Sequence, residues 1–178
     1  MAYWSTRGLR GSAFEELVEL SAKLYFQKGV AVIQKVPTPI TPVEVDNKSR
    51  IITCAYFGKK STVDFIGVWR GAAICFDAKE TGQQSLPLGN IHRHQVEFME
   101  SFARQGGLSF LLVSFSARGE VFVLPVAELS RRFAAAEKKG RKSIPHGDFD
   151  RELLVGSGNG YPLDFLSAAR KLQESPGI

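Results

Sequence analysis

A mixed α/β fold is predicted by three observations. Leu108–Phe115 is an almost unbroken apolar run of strand length, as expected for a central strand covered on both faces. Several stretches repeat apolar residues at helical spacing, with Ser, Asn or Pro near their starts. Shorter apolar runs with strand spacing alternate with them, giving the order helix, strand, arm, strand, strand, helix, strand, strand, helix, helix.

Each element has its own signal. Ser12 and Glu15 fit a capping box for the first helix, Phe14, Leu17, Val18, Leu24 and Tyr25 supply its stripe, and Gly29 ends it. Residues 30–36 read as a strand. Pro37, Pro39 and Pro42 forbid a helix and stiffen the chain. Residues 37–60 therefore read as an arm or hairpin projecting from the core, because a plain loop of that length is unusual in a compact domain. Residues 62–69 and 72–79 read as strands joined by a tight turn at Arg70-Gly71, and residues 80–89 as a loop. Asn90 is placed to cap a helix reaching about Gln105, where Gly106-Gly107 stops it. Residues 121–124 form a further strand, Pro125 opens a helix to about Lys139, and Pro162 opens the last one, with Leu163, Leu166, Ala169 and Leu172 as its stripe. Residues 145–160 have no assignable role.

The 178 residues suffice for one core, so a single domain over 1–178 is expected, with 37–60 as its arm. A 44% hydrophobic and 23% charged composition excludes full-length disorder. No apolar run approaches the ~20 residues of a membrane helix. Residues 1–5 lack a signal-peptide core, which points to a cytoplasmic protein. Cys54 and Cys75, without CxxC spacing, read as small buried hydrophobes in a reducing compartment.

The net charge of +5 is clustered. Lys48, Arg50, Lys59 and Lys60 fall in an acid-free stretch, and Arg131, Arg132, Lys138, Lys139, Arg141 and Lys142 surround the lone acid Glu137. Such clusters fit either a solvated face or a polyanion partner.

The chemistry centres on Thr62-Val63-Asp64, Asp77-Ala78-Lys79 and Gln95. Alternation puts Thr62 and Asp64 on one strand face, and Asp77 and Lys79 on one face of the next. Paired as a hairpin, these strands bring two carboxylates together, at a cost of about 4 kcal/mol for ~4 Å separation and an effective dielectric of ~20. A cation resolves that repulsion. Mg²⁺, which takes one or two carboxylates plus water and phosphate oxygens, suits the pair, and Lys79 can stabilise phosphoryl charge beside it. Gln95 shares a helix stripe with Ile91, Phe98 and Phe102, so its amide needs a partner, in the core or at a metal. His92 and His94, two apart on a helix, face nearly opposite sides and do not chelate one ion together. Glu15 is open to two readings, cap and catalytic acid.

Thr62-Val63-Asp64-Phe65, Gly67-Val68-Trp69-Arg70-Gly71, Phe76-Asp77-Ala78-Lys79-Glu80-Thr81, Pro87-Leu88 and His92-Arg93-His94-Gln95 resemble the RecU-type Holliday junction resolvases. So do Lys35-Val36-Pro37-Thr38-Pro39 and Gly140-Arg141-Lys142-Ser143-Ile144. Arg10-Gly11-Ser12-Ala13-Phe14-Glu15 is similar to the opening of archaeal Holliday junction resolvases of the PD-(D/E)xK nuclease superfamily. The resemblance implies a restriction-endonuclease-like mixed sheet flanked by helices, with a Pro-rich stalk. It implies a homodimeric Mg²⁺-dependent endonuclease, with Mn²⁺ as a substitute, that cuts four-way DNA junctions by paired hydrolysis in recombination and repair. The host is a bacterial cell or a phage, and recombination proteins are further partners.

Carried over by residue, Thr62, Asp64, Asp77 and Gln95 match the metal positions, Lys79 the transition-state stabiliser, and Glu15 the first-helix glutamate, with Glu16 as its competitor. The family usually has Glu where this chain has Asp77, and the loop between Lys79 and Gln95 is about one residue shorter. Lys48, Lys59, Lys60, Arg70, Arg141 and Lys142 are expected to grip DNA. A duplex-cutting nuclease of the same core and a non-catalytic junction-binding recombination modulator are the competing functions.

Overall fold

The structure, a computed structural model, describes residues 9–58 and 62–174. Its centre is a six-stranded mixed sheet in the order β1-β4-β5-β7-β8-β10. These strands are β1 (Ala31–Lys35), β4 (Phe65–Trp69), β5 (Ala72–Thr81), β7 (Leu108–Phe115), β8 (Glu120–Pro125) and β10 (Leu154–Val155). β5 and β7 run parallel and every other pairing is antiparallel. Two-stranded ribbons join β2 (Ile40–Asp46) to β3 (Ile51–Phe57) and β6 (Ser85–Pro87) to β9 (Ser143–Pro145). Helices α1 (Leu9–Gln27) and α4 (Phe165–Glu174) cover one face, and α2 (Arg93–Arg104) and α3 (Val126–Glu137) the other. This is the mixed sheet flanked by helices that the sequence predicts.

The burial of β7 shows why it reads as a continuous apolar run. Phe110 and Leu112 enter the core under α1 and α4, while Leu111, Val113 and Phe115 enter the core under α2 and α3. Phe65, Phe76 and Phe110 stack across three neighbouring strands with ring centroids 4.9 Å apart at each step. Offset aromatic pairs add about 0.5–1.5 kcal/mol each beyond their area burial, so this row fixes the β4–β5–β7 register.

The arm is a β2–β3 hairpin, exposed along both strands. It leaves the sheet after Lys35 and returns before β4, and Gly58 donates its N–H to the Pro39 carbonyl at 2.7 Å where the two legs meet.

Several boundaries differ from the sequence reading. α1 begins at Leu9, so Ser12 lies inside the helix and no capping box forms there. Thr62 precedes β4 and belongs to no strand. Residues 80–89 are not all loop: β5 runs on to Thr81, and β6 pairs with β9. Asn90 ends a short 3₁₀ turn (Leu88–Asn90) and does not cap α2, whose N-cap is His92. Residues 145–160 close the sheet through β10. Cys75 is buried as expected, but Cys54 is exposed, because β3 has no core behind it.

Candidate active site

The β4–β5 ladder ends where the chemistry begins. Its last rung pairs Phe65 with Phe76, and the next residues, Asp64 and Asp77, replace backbone rungs with side-chain bonds. Asp64 donates its N–H to Asp77 Oδ1 at 2.8 Å, and Ala78 donates its N–H to Asp64 Oδ2 at 3.1 Å. The Asp64 carbonyl accepts from Val36 N–H at 2.8 Å, which ties the corner to the chain leaving β1. The two carboxylates therefore share one corner of the sheet, held by backbone geometry.

Lys79 supplies a cation to this corner. Its Nζ lies 2.6 Å from Asp77 Oδ2 and 3.8 Å from Asp64 Oδ2. Asp77 has no exposed side-chain surface, and burial pushes its carboxyl up to about 6, against the pull of Lys79 and with the charge of Asp64 adding to the rise. Burial alone would lower the Lys79 ammonium, but Asp77 and Asp64 outweigh it and hold it above the ordinary lysine value. Part of the repulsion that the sequence assigned to a metal is thus met by Lys79. Two ionised carboxylates and one ammonium still sum to −1.

A divalent ion fits what is left. Asp77 Oδ2 is one of two buried side-chain polar atoms among the described residues that make no hydrogen bond, its Lys79 contact being an ion pair. A buried carboxylate oxygen with spare acceptor capacity beside a second carboxylate is the oxygen donor set that a hard cation takes. Among the described residues no group of three or more His, Cys, Asp or Glu side chains is placed to hold a metal. The protein donors would accordingly be few, as suits Mg²⁺, which keeps several waters.

The other predicted site residues fall in different places. Glu15 does not join the aspartates: its carboxylate pairs with Lys35 Nζ at 2.8 Å, and Glu19 takes the same ammonium at 2.7 Å. Hydrogen bonds from Glu15 and then Glu19 raise the Lys35 ammonium above its ordinary value. Glu15 reaches the site only through its field, which helps to raise Lys79. Sequence reasoning gave Lys35 no part here, although two glutamates four apart on one helix signal that a cation is needed between them. Thr62 is exposed two residues before Asp64. Gln95 is buried at the third position of α2, where its Oε1 accepts the His92 N–H at 3.1 Å. That is the satisfied-amide reading of Gln95. Because His92 is an extended N-cap and not a helical residue, the His92 and His94 rings stack with centroids 5.4 Å apart instead of diverging.

The basic residues divide. Arg131 and Arg132 are neutralised by Glu128, and Arg132 also by Asp148 at 2.7 Å. Lys48 lies exposed in the turn of the arm, and Arg141 and Lys142 lie exposed just before β9. Pairing of β9 with β6, and the Leu88 N–H donated to the Lys142 carbonyl at 3.0 Å, set these last two beside the chain that leads from Lys79 to Gln95. Lys59 and Lys60 lie outside the described residues. Arg70 is not brought to the acids: it sits in the β4–β5 turn, about 20 Å from Asp64 at ~3.3 Å per residue.

Comparison with known proteins follows the same motifs. The family model for Recombination protein U, RecU, matches residues 9–171. A Holliday junction resolvase RecU of Leuconostoc mesenteroides is 38% identical over 173 residues, covering 94% of this chain and 84% of that protein. One from Pediococcus pentosaceus is 41% identical over 162 residues, covering 89% and 77%, and one from Streptococcus pneumoniae is 42% identical over 155 residues, covering 83% and 77%. Among solved structures, the Holliday junction resolvase Hjc of Archaeoglobus fulgidus aligns with a TM-score of 0.40 and 19% identity over 66% of this chain and 74% of that one. With a family model spanning α1 to α4 and relatives near 40% identity over most of their length, the chain belongs to the RecU family.

Proposed function

We propose that this chain is a Holliday junction resolvase, a nuclease that cuts four-way DNA junctions by paired, Mg²⁺-dependent phosphodiester hydrolysis during recombination and repair. The observation that carries the reading is the Asp64–Asp77 corner, where two carboxylates share one lysine and one buried carboxylate oxygen makes no hydrogen bond. Anions facing DNA have no use in a protein that only binds it. The names of the relatives support the substrate.

Asp64 and Asp77 would hold the ion, with the Ala78 carbonyl, Thr62 and Gln95 as supporting or water-mediated positions. When bound there, Mg²⁺, or Mn²⁺ in its place, orients water and draws off phosphate charge. Lys79 keeps an ammonium against the reacting phosphate, and its partners hold that charge across the working pH range. Backbone N–H groups of Asp64 and Ala78 fix the orientation of the two carboxylates, so neither swings away when charge builds up. Lys48, Arg141 and Lys142 grip backbone phosphates. A homodimer presents two such corners to a two-fold junction, which gives paired cuts.

The test is a Mg²⁺ titration with labelled four-way junction and linear duplex, on the parent and on Asp77→Asn. The parent is expected to nick junctions in pairs only with the ion, and the variant to bind junctions normally while cutting at least about a thousandfold more slowly. No cutting at any ion concentration would leave a binding protein. Equal cutting of linear duplex would leave a general nuclease.

A further inference from the structure

A second cavity lies at the end of the sheet away from the acids. It has a volume of about 390 Å³, within the usual range for small-ligand sites. Its walls come from the end of α1, the β4–β5 turn and the start of α4, and include Tyr25, Trp69 and Tyr161 with the exposed Arg70 and Arg170.

Three features make this more than a dent. Arg70 holds φ +53° beside Gly71 at +81°, a turn that Asn-Gly or Gly-Gly would fill more cheaply. An arginine kept in the left-handed region is kept for its side chain. The second feature is the loop over residues 156–160, Gly-Ser-Gly-Asn-Gly, which crosses the rim. A Cβ on Gly160 would stand 3.1 Å from Lys28 Nζ, and that ammonium lies 4.2 Å from the Tyr161 ring centroid and donates to the Asn159 carbonyl at 2.8 Å. A third cation is thus fixed at the mouth. Finally, the one acid in the wall, Asp164, is already occupied. Its Oδ1 accepts from Tyr25 at 3.0 Å, and its Oδ2 from Asn159 at 2.9 Å and Ser167 at 2.8 Å.

We propose that this cavity binds a nucleotide, with its phosphate at Arg70 and Arg170 and its base and sugar against Tyr161. Guanidinium forks match phosphate oxygens, and an aromatic face accepts any base. The ligand class rests on the nucleic-acid part of the function proposed above, but the site is separate from the cleavage corner. A DNA strand and a free nucleotide offer the same chemistry.

Trp69, in the wall, reports on occupancy. The experiment uses the full chain carrying Trp4→Phe, which leaves Trp69 as its one indole, in chelator so that no strand is cut. Single-stranded oligothymidylate is expected to shift Trp69 emission saturably. The pair Arg70→Asn and Arg170→Gln should raise the Kd at least about tenfold with circular dichroism unchanged, Asn being tolerated in the left-handed turn. Adding Asp77→Asn should leave the titration as it is while abolishing junction cleavage, so failure here and failure of the nuclease reading are separable. Displacement of the oligonucleotide by thymidine monophosphate makes a free nucleotide the ligand, and lack of displacement makes it a strand. An emission that does not respond, or an unchanged Kd in the double variant, overturns the site.

Discussion

Two consecutive hairpins, β2–β3 and β4–β5, are both built from β-branched and aromatic residues, yet they differ in every physical respect. β4–β5 buries Phe65, Trp69, Ile74 and Phe76, because β7 pairs beside it and α1 packs across it. β2–β3 leaves Val43, Ile51, Tyr56 and Phe57 in water, because no third strand or helix covers it. Apolar content therefore does not decide burial. A neighbouring strand does, since a lone two-stranded ribbon has little to pack against. The apolar side chains of the arm add little to the stability of the chain and are held out for contacts beyond it.

The largest effect that separates the hairpins is a core truncation. Phe76→Ala removes the middle ring of the Phe65–Phe76–Phe110 row and should cost about 3–5 kcal/mol in urea unfolding. Phe57→Ala, at a site 85% exposed, should change stability by less than about 0.5 kcal/mol. Similar losses at both positions would mean that the arm is part of the core after all.

The end of β4–β5 carries a cost that β2–β3 lacks. Burial raises the Asp77 carboxyl from 3.8 to about 6. A raised carboxyl holds its proton more tightly when folded than when unfolded. Its stabilising contribution is complete below about pH 4 and is lost as pH rises through about 6, roughly 3 kcal/mol in all. Lys79, raised above 10.5, stays charged throughout that window and adds no slope of its own. In chelator, the stability of the parent relative to Asp77→Asn should therefore fall between about pH 4 and 7. A flat difference would show that Asp77 titrates as an ordinary exposed acid.

Much of this contrast was readable in the chain. The even split of β7 between two cores follows from its apolar run, and the meeting of Asp64 with Asp77 follows from face alternation plus a two-residue turn at Arg70-Gly71. What escaped depended on contacts distant in sequence or on a cap displaced by two residues. The 3₁₀ turn at Leu88–Asn90 moved the start of α2 to His92, which turned Gln95 into a capping residue and brought two histidine rings together. Charge runs say nothing about which end of a strand they occupy, so Arg70 was grouped with cations that lie far from it. The pairing of Arg131 and Arg132 with Glu128 was available from helical spacing and thins the basic face of α3.

Register gives a sharper test of why the inner hairpin is rigid. Gly67 faces Ile33 across the β1–β4 ladder, and a Cβ there would stand 2.1 Å from the Val32 carbonyl oxygen and 2.8 Å from Ile33 Cα. Both are backbone atoms, so β1 must shift. Gly67→Ala should cost about 1–3 kcal/mol and speed hydrogen exchange of the β1 amides. Unchanged exchange would mean that β1 adapts without leaving the ladder.

The smallest effect on folding belongs to the arm. Removing residues 38–58 takes away β2 and β3 but leaves the six-stranded sheet and both cores intact. With no buried area lost, Tm should move by no more than the ~2–4 °C that 1 kcal/mol produces at this length. Preference for four-way junctions over linear duplex should disappear, because phosphate contacts elsewhere on the chain read backbone alone. Gel-shift titrations of both DNAs measure the ratio. If the shortened chain still prefers junctions, selectivity resides in the sheet and its dimer. If it unfolds, the exposed hairpin contributes to a core that its solvent-facing strands do not reveal.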